Sequence, residues 1–231
     1  MTNLIIDFSL NEATAVAKIV RKAMELIETE LQSRGIFHMV LTGGITGNLV
    51  SSALVAELNQ QPNNFHGLHI WWGDERFLSL NSEERNDSAF KSHLSPNTKI
   101  HVHSVLSPEE VSDVETAARR YNADLQGVEL SLVILGVGPD GHLASLFPHQ
   151  WNKDETRNAI SISDSPKPPL QRVSLSMAKI NSAERVWLLA CGAKKREVVE
   201  KIQSHEPDLP VSHVQGMFET LVYVDRESSP Q

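Results

Sequence analysis

The sequence contains a single cysteine, Cys191, among 231 residues. An intrachain disulfide is therefore impossible, which fits a reducing compartment. No apolar run approaches the roughly 20 residues that a membrane-spanning helix needs. The first residues, MTNLIIDFSLNEA, have no basic segment followed by a long apolar one, as a signal peptide would. We therefore expect a cytoplasmic protein that does not enter a membrane.

Positive charge is also scarce. The 21 Lys and Arg residues are outnumbered by 29 Asp and Glu residues, and the formal net charge is −8. No run of Lys and Arg forms a basic stripe, and nucleic-acid phosphates demand clustered positive charge. We therefore expect no nucleic-acid partner. An anionic ligand would have to be held by a few local cations and backbone amides.

Length and hydrophobic content indicate a folded protein. Of the residues, 40% are hydrophobic, an ordinary globular value that argues against disorder. A chain of this length can bury a core without disulfides or metals. The only linker-like stretch is the proline-rich SDSPKPPLQ of residues 163–171, which is too short to separate independent domains. We therefore predict one domain over residues 1–231.

Apolar runs of strand length alternate with helical patterns along the chain. Ser9 and Glu12 are spaced as a capping box, and the helix that they start ends at Gly35. Ser107 is suited to cap the N-terminus of a second helix, which is predicted to run to about Leu125. The predicted strands are residues 36–41, 68–72, 100–103, 130–135, 159–162, 173–176, 186–190 and 220–224. The other predicted helices are residues 48–58, a short one after the polar loop 79–87, 142–147 and 194–204. This alternation predicts an α/β fold with a doubly wound, mostly parallel sheet and flanking helices.

Three polar segments follow predicted strands directly. They are TGGITG at residues 42–47, GDER at residues 73–76 and GVGPDGH at residues 136–142. In open α/β sheets, ligands bind beyond the carboxyl ends of the strands. The three segments should therefore meet at one edge of the sheet and form a binding site there.

The first two segments are suited to an anion. Gly43 and Gly44 would let backbone amides approach a phosphate closely, and Thr46 adds a hydroxyl donor. The alternative is a tight turn between a strand and a helix, and no Gly-Lys-Ser/Thr follows as in a Walker A loop. Arg76, close to Asp74, could pair with a phosphate or a carboxylate through its planar guanidinium. The alternative there is a surface salt bridge.

The third segment formally matches G-x-G-x-x-G, a dinucleotide-binding pattern. The predicted helix after it is cut short by Pro148, and Pro139 stiffens the loop, so we disfavour that interpretation and expect no cofactor. Within the segment, His142 can take a proton from water and return it, and Asp140 can orient the imidazole. The alternative is that His142 merely caps a short helix.

Other reactive side chains lack the context that their chemistry requires. Ser145 is not in a G-x-S-x-G elbow, which argues against a serine hydrolase. Cys191 ends an apolar strand and is expected to be a small buried hydrophobe. His101 and His103 alternate along a predicted strand but have no cysteine or acid cluster at ligand spacing, so we expect no metal.

Taken together, these segments resemble the 6-phosphogluconolactonase family. LGVGPDGHLASLFP, residues 135–148, is similar to the family's Leu-Gly-x-Gly-x-Asp-Gly-His-x-Ala-Ser-Leu-Phe-Pro, and WGDERF, residues 72–77, to its Asp-Glu-Arg motif. Residues 169–172 resemble its Pro-x-x-Arg, and residues 192–195 its Gly-x-x-Lys. The motifs occur in family order from residue 41 to residue 195.

The resemblance implies a Rossmann-like fold and hydrolysis of 6-phospho-D-glucono-1,5-lactone to 6-phospho-D-gluconate without a metal. We expect a monomer that needs no cofactor. It implies that His142 is the general base, that Asp140 supports it and that Arg76 holds the substrate. The remaining substrate-binding residues that it implies are Gly43, Gly44, Thr46, Asp74, Arg172 and Lys195.

The chain departs from the family at several positions. Ile45 and Gly47 replace the serine and proline of Gly-Gly-Ser-Thr-Pro, residues 78–79 read Leu-Ser instead of Val-Pro, and residues 85–86 read Arg-Asn instead of Ser-Asn. One alternative is a glucosamine-6-phosphate deaminase or isomerase, but those carry Ile-Gly-Phe-Asn-Glu-Pro where residues 144–148 read Ala-Ser-Leu-Phe-Pro. Another is a non-catalytic sugar-phosphate-binding protein, against which the retained Asp140 and His142 argue.

Overall fold

The computed structural model describes residues 4–229. The strands are β1 (Leu4–Ser9), β2 (Phe37–Leu41), β3 (Leu68–Trp72), β4 (Asp74–Arg76), β5 (His101–Val102), β6 (Leu132–Gly136), β7 (Ala159–Ile162), β8 (Arg172–Leu175), β9 (Arg185–Ala190) and β10 (Glu219–Asp225). The helices are α1 (Glu12–Arg34), α2 (Gly44–Gln60), α3 (Asn86–His93), α4 (Val114–Asp124), α5 (Met177–Asn181) and α6 (Arg196–Gln203). None of the helices within residues 4–229 is long and apolar enough to span a membrane.

Seven strands form one sheet in the order β1-β10-β9-β6-β2-β3-β5, and every neighbouring pair is parallel. The central strand β6 is buried on both faces, as its uniformly apolar sequence indicates. Val133 and Leu135 point into a core that includes α4, α5 and α6. Leu132 and Ile134 point into a second core with α1, α2 and α3. The predicted fold class, a parallel sheet with helices on both faces, is confirmed.

A second, three-stranded sheet has the order β4-β8-β7 and is antiparallel. No strand is predicted over β4, and the predicted strands at residues 159–162 and 173–176 belong to this antiparallel sheet rather than to the parallel one. Only one residue, Gly73, stands between β3 and β4. Its amide donates to the carbonyl of Leu41 at 2.8 Å, and its carbonyl accepts from Leu175 at 2.8 Å. Gly73 therefore joins the small sheet to the carboxyl edge of the main one.

Two predicted helix starts are wrong. The N-cap of α1 is Asn11, which shares reciprocal side-chain and backbone hydrogen bonds with Thr14. Ser9 cannot cap the helix because it still belongs to β1, a strand that the sequence analysis missed. The N-cap of α4 is Asp113, and the predicted start at Ser107 is only a single turn closed by Glu110.

The predicted helix over residues 142–147 is also wrong. A helix would need the carbonyl of His142 to accept from Leu146, but that carbonyl accepts from Gly138 at 2.8 Å, and Leu146 bonds to Leu143 instead. Ala144 has a φ of 49°, in the left-handed region. The segment is a compact, non-helical loop that folds His142 back over Gly138.

Candidate active site

A cavity of about 620 Å³ opens at the carboxyl ends of β2, β6 and β9, between the main sheet and the small one. The three polar segments meet there, as predicted. The predicted site residues that line it are Gly43, Gly44, Thr46, Asp74, Arg76, His142, Arg172 and Lys195. Asp140 is not part of the lining, but its carboxylate is hydrogen-bonded to the imidazole of His142.

The loop of residues 136–142 places His142. The amide of Gly141 donates to the carbonyl of Gly138 at 2.9 Å, and the ring of His142 then lies directly over residue 138. A Cβ atom on Gly138 would be 1.9 Å from the Nδ1 of His142. Glycine at this position is therefore required by the close approach of the imidazole. The ring also packs on Phe147, with 4.7 Å between the centroids.

The Nδ1 of His142 shares a short hydrogen bond with the Oδ1 of Asp140. Burial lowers the pKa of His142, and the charge of Lys167 acts in the same direction, whereas Asp140 opposes both. Burial raises the pKa of Asp140, but the hydrogen bond with His142 and nearby positive charge outweigh it, so the net shift is downward. A neutral imidazole can donate from Nδ1 to an ionised Asp140, which leaves Nε2 as a proton acceptor.

Asp74 is a buried carboxylate rather than a surface one. Its side chain accepts from the hydroxyl of Ser145 at 2.7 Å and from the amide of Asn86 at 3.1 Å. The Nη1 of Arg172 lies 3.6 Å from the same carboxylate. The alternative of a surface salt bridge at this segment is therefore wrong. Ser145 is 1% exposed, and its hydroxyl donates to Asp74 instead of facing the cavity.

The two arginines of the site are placed opposite each other by the pairing of β4 with β8. Arg172 donates to three carbonyls of the loop 167–169 at 2.9–3.2 Å, so much of its guanidinium holds that loop. Arg76 donates to the carbonyl of Glu84, while its buried Nε has no partner among the described residues. Of the two, Arg76 has more hydrogen-bonding capacity left for a ligand.

Most of the predicted glycine loop, residues 42–47, is helical, because α2 begins at Gly44, four residues before its predicted start. Gly43 is the N-cap, and no side chain caps the first turn of this helix. A Cβ on Gly43 would be 1.8 Å from the Oδ1 of Asn86, and one on Gly47 would be 2.6 Å from the carbonyl of Thr42. The glycine that departs from the family pattern thus fits a position without room for a side chain. The helix amides remain available to an anion.

Two acids and two lysines complete the cavity lining. Thr46 donates its hydroxyl to Glu12 at 2.5 Å, so that hydroxyl is already engaged. The ammonium of Lys195 donates to the carbonyl of Val137, and burial lowers its pKa. Lys194 and Glu227 also line the cavity.

Sequence reasoning missed Glu12, Asn86 and Lys194. Lys194 could have been found beside Lys195, and Asn86 from its match to the asparagine of the family's Ser-Asn, whereas no local pattern marks Glu12 as a cavity residue.

The other reactive side chains behave as packing residues. Cys191 lines the cavity but is only 6% exposed, and burial raises the pKa of its thiol to about 12. His101 and His103 stack on His69 rather than converging on a point. Within residues 4–229, no group of three or more His, Cys, Asp or Glu side chains is arranged to hold a metal ion.

Comparisons with known proteins identify the family of the chain. Residues 10–223 match the family described as glucosamine-6-phosphate isomerases/6-phosphogluconolactonase. The chain is 33% identical to a 6-phosphogluconolactonase of Streptomyces coelicolor, over 97% of this chain and 92% of that protein. It is 30% identical to the 6-phosphogluconolactonase of Mycobacterium tuberculosis, over 93% and 92%.

Solved structures give the same result at the level of the fold. The crystal structure of a 6-phosphogluconolactonase from Thermotoga maritima superimposes with a TM-score of 0.84 at 26% identity, covering 97% of this chain and 100% of that one. A monomeric glucosamine-6-phosphate deaminase superimposes with a TM-score of 0.77 at 18% identity, over 97% and 98%, which shows a shared fold alone. The chain belongs to the glucosamine-6-phosphate isomerase/6-phosphogluconolactonase family.

Proposed function

We propose that this protein hydrolyses 6-phospho-D-glucono-1,5-lactone to 6-phospho-D-gluconate, a step of the oxidative pentose phosphate pathway. The observation that carries the proposal is the pairing of His142 with Asp140 at a cavity that also holds Arg76 and Lys195. A base beside a cluster of cations suits a neutral ester that carries a phosphate. The relatives named 6-phosphogluconolactonase support the same substrate.

In the proposed mechanism, the Nε2 of His142 removes a proton from water as its oxygen attacks the lactone carbonyl. The carbonyl carbon becomes tetrahedral, and the oxyanion is stabilised by Arg76 and by backbone amides of the glycine loops. The bond between that carbon and the ring oxygen then breaks, and the protonated imidazole gives its proton to the departing oxygen. Asp140 keeps the imidazole oriented and stabilises its charged state during the cycle.

The phosphate end is assigned to the amides of Gly43 and Gly44 at the start of α2, together with Lys195. Arg172 contributes positive charge while it holds the neighbouring loop. Because Thr46 already donates to Glu12, we infer that it binds the phosphate through its backbone amide or after that hydrogen bond breaks. Asp74 would accept hydrogen bonds from substrate hydroxyls, or it would position Ser145 and Asn86, which already donate hydrogen bonds to it.

The proposal is tested by following the loss of freshly generated 6-phosphogluconolactone at slightly acidic pH, where spontaneous hydrolysis is slow. The wild-type protein should exceed a protein-free blank by orders of magnitude. A rate equal to the blank would refute the lactonase, and ammonia release from glucosamine 6-phosphate would instead favour a deaminase. We also propose that the protein acts as a cytoplasmic monomer, which sedimentation and fractionation would test.

A further inference from the structure

Lys167 contacts the pair formed by Asp140 and His142, although it does not line the cavity. Its Nζ is 3.3 Å from the Oδ2 of Asp140 and 3.3 Å from the Nδ1 of His142. The two carboxylate oxygens of Asp140 therefore have different partners: Oδ1 binds the imidazole of His142, and Oδ2 binds the ammonium of Lys167. Because the Nδ1 of the neutral imidazole carries the proton donated to Asp140, it offers no lone pair to the ammonium, and Lys167 acts on His142 through its charge.

The position of Lys167 is held by its own loop between β7 and β8. The residue stands between Pro166 and Pro168, whose rings restrict the backbone on both sides. Its carbonyl accepts from the Nη2 of Arg172 at 2.9 Å and from the hydroxyl of Ser165 at 2.9 Å. The side chain is half-exposed, but its attachment point is fixed relative to the site.

The charges that face His142 come from three segments. Asp140 lies on the same loop, Asp74 on β4, and Lys167 on the β7–β8 loop. Both acids favour the protonated imidazole, whereas Lys167 disfavours it. Lys195 also interacts with these charges, because Lys167 lowers its pKa and Asp140 raises it. Without Lys167, burial would be the main effect left to oppose two carboxylates, and His142 would bind its proton more tightly.

We propose that Lys167 is a positioning residue that keeps Asp140 ionised and His142 unprotonated, so that the base remains available at the acidic end of the working pH range. The proposal rests on the proposed role of His142 as the base. Lys167 acts through its neighbours and need not touch the substrate.

The test compares Lys167→Met with Lys167→Arg over pH 5.5–9. Loss of the cation raises the pKa of His142, so the acid limb of kcat/KM should move to higher pH. We expect a loss of about fivefold at pH 6 for Lys167→Met that narrows above pH 8, and a near-wild-type profile for Lys167→Arg. Lys153→Met removes an exposed lysine outside the cavity lining and is the matched control. An equal loss at every pH would overturn the proposal.

A second readout does not depend on turnover. NMR titration of the His142 imidazole, without substrate, should give a higher pKa in Lys167→Met and in Lys167→Gln than in the wild type or Lys167→Arg. Unchanged titration in both neutral variants would overturn the inference. A wild-type protein without lactonase activity, combined with a shifted titration, would refute the proposed reaction and leave the role of Lys167 standing.

Discussion

The histidine of the cavity and a stack of four other histidines have different surroundings. His142 faces the cavity and is bonded to a carboxylate. Four others form a histidine stack on β2, β3 and the segment of β5, away from the cavity lining. The members of the stack are His38, His69, His101 and His103.

The rings of the histidine stack are partnered by each other and by an aromatic side chain. The Nδ1 of His69 is 2.9 Å from the Nε2 of His103, and the ring of His103 lies 3.8 Å from that of Trp71. The Nε1 of Trp71 donates to His38 at 3.0 Å. Burial, followed by neighbouring histidines, lowers the pKa of His38 and of His103 to about 4.

His142 and the histidine stack differ in the groups that contact their rings. Burial lowers the pKa in both places, but only His142 has a carboxylate that can stabilise the imidazolium as it forms. An imidazole that can be protonated and deprotonated in turn is suited to catalysis, whereas a neutral stack is suited to packing. The His-x-His pattern of residues 101–103 is therefore a weaker predictor of a catalytic histidine than Asp140, the acid two residues before His142.

The sharpest test of this contrast removes one histidine from each group. His142→Ala should lower kcat/KM for the lactone by about 1000-fold, because the proton acceptor is lost. His101→Ala should leave kcat/KM within about twofold of the wild type. Steady-state kinetics on both variants decide the matter, and similar losses in the two would contradict the assignment of the base.

The next test removes the negative charge of Asp140 and keeps the size and shape of its side chain. Asp140→Asn should lower kcat by about 100-fold, because an amide neither stabilises the imidazolium nor selects the same tautomer of His142. The expected effect on KM is small. Asp154→Asn, at an exposed carboxylate, is the control. If Asp140→Asn kept wild-type kcat, the carboxylate would have no part in the proton transfer.

The smallest expected effect concerns the stack. Because the folded pKa of His103 is about 4, below the ordinary value of 6.5, its contribution to stability is complete above pH 6.5 and falls as the pH drops towards 4. After allowance for its partial exposure, this amounts to about 1 kcal/mol between pH 7 and pH 5. His103→Phe keeps a ring against Trp71 and should weaken that pH dependence.

Urea unfolding at pH 7 and pH 5 measures the difference. The exposed His66→Phe variant should retain the full wild-type pH dependence. An equal loss of unfolding free energy from pH 7 to pH 5 in His103→Phe and the wild type would mean that the stack does not resist protonation.

The parts of the fold that were predicted are those with a strong local signal. The uniformly apolar strand β6 and the glycine stop of α1 are examples, and both were placed within a residue or two. The strand β1 was missed because its edge position and half-exposed residues give little periodicity, and β10, its partner, lies more than 200 residues away. The helix at residues 142–147 was wrongly predicted because the hydrogen bond from Gly138 competes for the first carbonyl.

The candidate site divides in the same way. The sequence alone predicted a pairing of Asp140 with His142, and the tight loop, closed by hydrogen bonds at Gly138 and Gly141, brings the two side chains together. The sequence also determined the glycine loop at the start of α2. Only the tertiary structure decided that Ser145 would bond to Asp74, 71 residues away, and that Lys167 would reach Asp140 from 27 residues away. Such contacts depend on which strands pair and in which register, and that is set by the burial of whole sheet faces rather than by any short motif.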